Sequence, residues 1–246
     1  MMGKDFIDRK PRFCLWMVGA NPSLLKKCPQ VQKRIEAVRE FRLASKKPAT
    51  RKKAETPSLF DEVKQCATDF LALPVVSSEN RKYIPIDYLD SNIIAGNKLF
   101  MVPDATHYLF GVLTSSVHMA WMRAVAGRLK SDYSYSNTVV YNNFVWPEVT
   151  EKQREKITET AKEILDVRAK YPNSSLADLY DESTMPVDLR KAHKANDKAV
   201  MAAYGFKANT RESEVVTELF RRYEQCVKEL ENESTKSVSK NAVKKK

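Results

Sequence analysis

Glycine is scarce and scattered in this chain, and that limits the folds open to it. The six glycines (Gly3, Gly19, Gly96, Gly111, Gly127 and Gly205) lie no closer than 15 residues apart in a sequence of 246. A phosphate-cradling loop needs clustered glycines, so that backbone N–H groups approach the anion with no side chain in the way. Neither a P-loop nor a dinucleotide fingerprint can be written with these positions. The length suits one large domain or two modest ones, with enough chain to bury a core without disulfide or metal staples. No apolar run approaches the roughly 18 residues of a membrane span. Met1–Arg12 is polar where a secretory signal would be apolar. Cys14, Cys28, Cys66 and Cys226 lie far apart with no C-x-x-C. That usage reads as free thiols in a reducing compartment, and the expected location is cytoplasmic.

The formal charge of +11 is concentrated in two places. Residues 26–53 carry +9 and residues 234–246 carry +5, while 54–147 and 148–233 are slightly acidic. A basic stripe beside a near-neutral body is the electrostatic footprint of a polyanion binder. A solvated helix face gives the same composition, and for 26–53 the charge alone leaves both readings open. For the tail the plainer reading is a basic disordered segment.

Hydrophobic periodicity divides the chain. Phe13–Val18 reads as a strand, followed by a turn at Asn21-Pro22 and a basic helix over 29–47. Phe70–Val76, Lys82–Ile86 and residues 98–102 read as strands. Phe110, Leu113, Val117 and Trp121 predict one helix, ending at Gly127 as its C-cap. Val139–Trp146 reads as a strand. Beyond Pro147 the pattern turns helical: Thr150 with Gln153 and Asn209 with Glu212 make capping boxes, and Pro186 opens a helix towards Tyr204-Gly205. The expected architecture is a mixed α/β (α+β) domain over 1–147, a small all-helical C-terminal domain over 148–233, and the tail 234–246.

Catalytic constellations are missing. His107, His118 and His193 have no histidine or cysteine at helical spacing, so a helical His/Cys ligand pair is missing, and His118, set among Val117, Met119 and Trp121, reads as a core histidine. Pro103-Asp104 is not followed by a Glu-x-Lys, as a magnesium nuclease of the restriction type would require. No Pro-Pro occurs, so the [Asn/Asp/Ser]-Pro-Pro-aromatic loop of adenine methylation is absent. Trp16, Trp121 and Trp146 read as core residues in preference to base-stacking ones.

Arg123–Tyr135 stands apart. In an extended segment Lys130, Asp132 and Ser134 project to one side. A lysine donates to guanine O6/N7 and an aspartate accepts from the amino group of the paired cytosine, so the two could address both halves of a G·C pair. A plain Lys–Asp surface pair fits the same residues.

Phe13-Cys14-Leu15-Trp16, Ser77 to Ile86, Phe110 to Ser115, His118 to Arg123, Gly127 to Tyr133 and Val140 to Phe144 occur in fixed order. Together they resemble the MmeI-like DNA methyltransferases, large type II restriction–modification proteins that fuse nuclease, adenine methyltransferase and target recognition on one chain. Ser175 to Asp181, Met185-Pro186 and Ala192-His193 resemble the family's C-terminal helical domain. The likeness runs over roughly residues 5–205 and covers the target-recognition and C-terminal domains only. The S-adenosylmethionine loop and the Asn-Pro-Pro-Tyr-type motif lie upstream in the family, and the glycine and proline arithmetic finds neither here.

The resemblance implies a sequence-specific module for double-stranded DNA, not catalytic alone. It would set the register for a methyltransferase core, in trans or lost, that takes S-adenosylmethionine and flips out an adenine. In the family the residues flanking the serine after Gly-Arg-Leu are implicated in reading one base pair, and the matching positions are Lys130 and Asp132. Arg81, Lys82, Arg123, Arg128, Tyr133 and Tyr135 are the candidates for backbone contact and positioning, although each arginine or lysine could instead pair with a carboxylate. Two other classes stay open: a complete methyltransferase with an unrecognised cofactor site, and a scaffold whose basic helix docks an acidic protein.

Overall fold

A computed structural model describes the backbone of residues 1–243 and the side chains as far as residue 232. The chain forms two compact units, one of Met1–Pro11 with Ala67 onward, the other of Arg12–Cys66. A short helix, α1 (Gly3–Ile7), belongs to the first.

The Arg12–Cys66 unit is helical: α2 (Pro22–Lys26), α3 (Pro29–Leu43) and α4 (Pro48–Lys52), the last followed by a 3-10 turn. Each helix has proline in its first turn, where the missing N–H is no loss. The expected Phe13–Val18 strand does not form; that stretch is irregular, with Phe13 91% exposed. No strand of the unit offers it a ladder, and β propensity without a partner yields no strand. The basic helix forms but stops at Leu43, short of the expected 47. Ala54 is the unit's one buried residue. What ties its segments together is Arg42, whose guanidinium donates to the carbonyls of Lys53 (2.8 Å), Thr56 (2.9 Å) and Leu59 (2.8 Å).

The larger unit is built on two small antiparallel sheets. The first has β1 (Phe70–Pro74) at its centre, its five residues all buried. The second opens with β2 (Val76–Ser77). Strands β3 (Asp87–Leu89) and β4 (Leu99–Pro103) flank β1, with Leu71 opposite Tyr88 on one side and Val102 on the other. Lys82–Ile86 forms no strand: Lys82 and Tyr83 make a bend, and Ile84–Ile86 join no ladder. Pro85 has no N–H to give, the Ile84 N–H points at Met119 Sδ (3.3 Å), and the Ile86 carbonyl is taken by Arg168 (2.7 Å). Side chains have claimed the groups a ladder would need.

The single helix expected from Phe110 onward is two, α5 (His107–Leu113) and α6 (Ser116–Val125), because Ser115 caps a new start by accepting from the His118 N–H. Gly127 is not a C-cap: Ala126 already leaves α6 in an extended conformation, and Gly127 opens β5 (Gly127–Leu129), which returns as β6 (Asp132–Ser134). Sheet order is β2-β6-β5. Val75 links the two sheets, its N–H donating to Lys98 O (3.1 Å) and its carbonyl accepting from Tyr135 N (2.8 Å). Val139–Trp146 is not a strand either. Ser136 caps a π-helical turn over Asn137–Tyr141, and the Asn143 side-chain amide holds the carbonyls of Thr138 and Val139. Local side-chain bonds outcompeted β propensity there.

Four further helices follow: α7 (Glu151–Ala169), α8 (Leu176–Leu179), α9 (Val187–Ala203) and α10 (Glu212–Val243). The capping box at Thr150–Gln153 is present. The one at Asn209–Glu212 is not: α10 starts at Glu212, and Glu214 accepts from the Arg211 N–H. Helices α7 and α9 pack on α5, and α10 packs on α6, so the helical part and the mixed part share one core. Gly111 is what lets α5 and α7 meet. A Cβ there would lie 2.8 Å from Ile157 Cγ2 and 3.0 Å from Ala161 Cβ, and its carbonyl accepts from Asn196 Nδ2 (2.8 Å). The backbone of the expected tail is helical through Val243, while its side chains and residues 244–246 lie outside the described residues. Among the described residues no helix is long and apolar enough to cross a membrane.

Candidate nucleic-acid interface

The β5–β6 hairpin carries the residues singled out from the sequence. Leu129 pairs with Asp132, which leaves Lys130 and Ser131 as the tip. Lys130 is exposed and has φ +58°. The left-handed region costs a residue with a Cβ about 1–2 kcal/mol. Surrounding contacts must therefore hold it, and Arg128 supplies them. Its Nη1 donates to Ser131 O (2.8 Å), and its guanidinium lies 3.8 Å from the Tyr133 ring centroid. Glu79 sits 3.9 Å from the same guanidinium, and its backbone N–H points at Asp132 Oδ1 (3.4 Å).

The turn corrects one step of the sequence reasoning. Lys130 and Asp132 are not neighbours on one side of an extended strand, because the left-handed residue interrupts the alternation. They are brought to the same hairpin end by the turn itself. The Lys130 ammonium makes no hydrogen bond or ion pair among the described residues.

Asp132 also lines an open cleft of about 420 Å³, with Gly3, Lys4, Asp8, Ser78, Arg81 and Lys98 around it. Burial lowers the proton affinity of the Arg81 guanidinium, and the charges of Asp181, Asp132 and Asp8 oppose that shift. Arg81 forms no ion pair within 4 Å among the described residues. Lys4, Asp8 and Lys98 were not picked out from the sequence. Lys4 and Asp8 pair across one helical turn at 3.4 Å, but Lys98 lies some 90 residues further along the chain, and no local spacing joins it to them.

The other expected DNA contacts separate. Lys82 is exposed, its Nζ 5.6 Å from the Tyr83 ring. Arg123 is already engaged by the protein's own groups at the surface, with Nε and Nη2 on the Glu212 carboxylate at 2.7 and 2.8 Å and Nη1 on Lys82 O at 3.3 Å. Tyr133 is buried beneath Arg128. Tyr135 is withdrawn from the surface at 4% exposure, its hydroxyl 3.0 Å from His118 Nε2. Its expected place at a DNA surface is corrected to one in the core. Trp121 is likewise core, its indole N–H donating to Val140 O (2.9 Å), whereas Trp16 and Trp146 are half-buried.

The MmeI target recognition domain matches residues 1–148, and the MmeI C-terminal domain matches residues 149–231. The chain belongs to the MmeI family. It is 38% identical over 221 residues to DNA methyltransferase A of Bacillus subtilis (strain 168), covering 90% of this chain and 25% of that protein. It is also similar to the type IIL restriction-modification enzyme MmeI, whose structure was solved in complex with DNA. The TM-score is 0.91 at 45% identity, over 93% of this chain and 30% of that one. The chain thus spans about a quarter to a third of the length of these two MmeI-family relatives. Mixed α+β structure with a helical C-terminal part is the architecture of this MmeI-family segment. The two family domains meet at residues 148 and 149, but packing draws no line there, since α7–α10 share the core of the larger unit.

Proposed function

We propose that this chain recognises a short sequence in double-stranded DNA, and that the β5–β6 hairpin reads one G·C pair of it. The observation that carries the reading is the hairpin tip. An exposed lysine whose side chain makes no hydrogen bond or ion pair among the described residues sits in a left-handed turn held by Arg128, next to an aspartate. A two-stranded ribbon fits the major groove, about 12 Å wide. There Lys130 donates to guanine O6/N7 and Asp132 accepts from the cytosine amino group. Lys82 contacts phosphate, which fixes register without reading sequence. Arg81 stands beside Asp132 in the cleft and takes phosphate at its open side. Arg123 and Arg128 act within the protein: Arg123 ties α6 to α10, and Arg128 with Tyr133 sets the turn. The similarity to a DNA methyltransferase and to an MmeI enzyme solved with DNA supports this reading.

S-adenosylmethionine, which the family resemblance implies for a methyltransferase core, does not fit the cleft beside Asp132. The cleft sets Lys4, Arg81 and Lys98 beside the carboxylates of Asp8 and Asp132, so it presents no net negative charge to a cationic sulfonium, and no aromatic ring lines it for adenine. No alkylation step is assigned to these residues. Methyl transfer belongs, in this reading, to a core elsewhere in the polypeptide or in trans.

Lys130→Ala is expected to weaken cognate binding by about 1–3 kcal/mol and to relax preference at a single base pair. Competition binding with duplexes changed one pair at a time measures this. Equal loss on every duplex would make Lys130 a phosphate contact.

A further inference from the structure

The Arg12–Cys66 unit uses some of its cations to hold itself together and leaves others unused. Arg42 fastens the carbonyls after α4, and Arg51 donates to Ser45 O and Lys46 O (2.9 and 3.0 Å). Lys53 reaches Asp61, and Arg39 faces Glu36. Three consecutive pairs are different: Lys26-Lys27 where α2 ends, Lys33-Arg34 on α3, and Lys46-Lys47 between α3 and α4. All six are exposed, and none of the six side chains makes a hydrogen bond or ion pair among the described residues. The stretch that holds them carries +9, with Glu36 and Glu40 its only carboxylates. Packing does not account for the charges, because the unit buries only Ala54.

We propose that this unit is a second, sequence-independent DNA-binding surface, whose paired lysines and arginines take backbone phosphates outside the base pairs that the hairpin reads. The inference rests on the DNA-recognition reading for its partner and uses none of the hairpin's residues. Charge complementarity favours a duplex. Like charges this dense repel one another until an anion neutralises them, and DNA presents one phosphate charge per roughly 1.7 Å of helix axis. An acidic protein surface is the competing partner. Exposed Phe13, Leu24 and Phe41 would give it apolar contacts that phosphates do not use.

The test uses the full chain and a quadruple variant, Lys33→Gln, Arg34→Gln, Lys46→Gln and Lys47→Gln, with its circular dichroism matched to the parent. Binding to a labelled duplex is followed from 50 to 300 mM salt. Every cation that no longer neutralises a phosphate should lower the slope of log K against log salt by about 0.9. The variant should therefore show a shallower slope and bind all sequences more weakly by one common factor, its ratio of preferred to random duplex unchanged. An unchanged slope overturns the proposal. A changed ratio with an unchanged slope overturns it too, because the cations would then read bases. If the parent shows salt-dependent binding with no sequence preference, the hairpin reading fails while this proposal is still decided by the variant's slope.

Discussion

Lowering the pH from 7 to 5 should remove about 4 kcal/mol of folding stability, roughly 2 kcal/mol for each of two buried histidines. His118 and His193 are both 0% exposed. His118 Nε2 lies 3.0 Å from the Tyr135 hydroxyl, with Phe144 edge-on to its ring. His193 Nε2 lies 3.0 Å from the Tyr180 hydroxyl, with Tyr83 stacked at 4.2 Å. Neither Nδ1 has a hydrogen-bond partner among the described residues, so none of them stabilises a second ring proton. Burial pushes both down to about 3, helped at His193 by the nearby cations Arg168 and Lys82.

The sign follows from the proton count. Between the unfolded value near 6.5 and the folded value near 3, the unfolded chain binds protons that the folded chain refuses. Stability is complete above the upper value and falls as the pH drops through this window. Asp197 acts the other way. It is buried and its proton affinity is raised by that burial, against the bonds from Tyr83 (2.7 Å) and the Ser116 N–H (2.7 Å). Below its folded value it returns part of what the histidines lose. Urea midpoints at pH 7, 6 and 5 measure the effect, and His118→Gln should about halve the dependence. A midpoint constant from pH 7 to 5 contradicts the account.

Asp87→Ala is expected to cost about 3–5 kcal/mol, because it strands a buried cation. Arg168 on α7 is 3% exposed. Its guanidinium pairs with Asp87 of β3 and donates to Ile86 O (2.7 Å) and to the Tyr180 hydroxyl (3.3 Å). Arg9 stands 3.9 Å from the other Asp87 oxygen, but it is a second cation and offers Arg168 no neutralisation. Removing Asp87 leaves the positive charge in place and takes away its neutraliser. Combining Asp87→Ala with Arg168→Met should recover much of the loss, since no charge is then buried. Urea unfolding of the two single variants and the double variant completes the cycle. A cost below about 1 kcal/mol for Asp87→Ala would show that water reaches the site.

What the sequence disclosed follows the range of the forces involved. The caps at Thr150 and Pro186 and the apolar run of β1 are local signals, and α7, α9 and β1 lie where they indicate. Phe13–Val18, Lys82–Ile86 and Val139–Trp146 have strand composition, but a strand needs a partner edge, and here side chains or solvent took the backbone groups instead. The hairpin was hidden because its tip uses lysine where a left-handed turn favours glycine or asparagine. Family motifs, and not alternation, are what single out Lys130 and Asp132. Arg123 was indistinguishable from a phosphate ligand because Glu212, its partner, is 89 residues away. Tyr135 looked available for the same reason: nothing near it in sequence announces that His118 draws it inside.

The most direct test of the central claim is selection by the purified chain from a pool of randomised duplexes, repeated with Lys130→Ala. The account predicts a short enriched sequence containing a G·C pair that the variant no longer distinguishes, with the other positions retained. Recovery of no enriched sequence, or of the same sequence at every position with the variant, would contradict it.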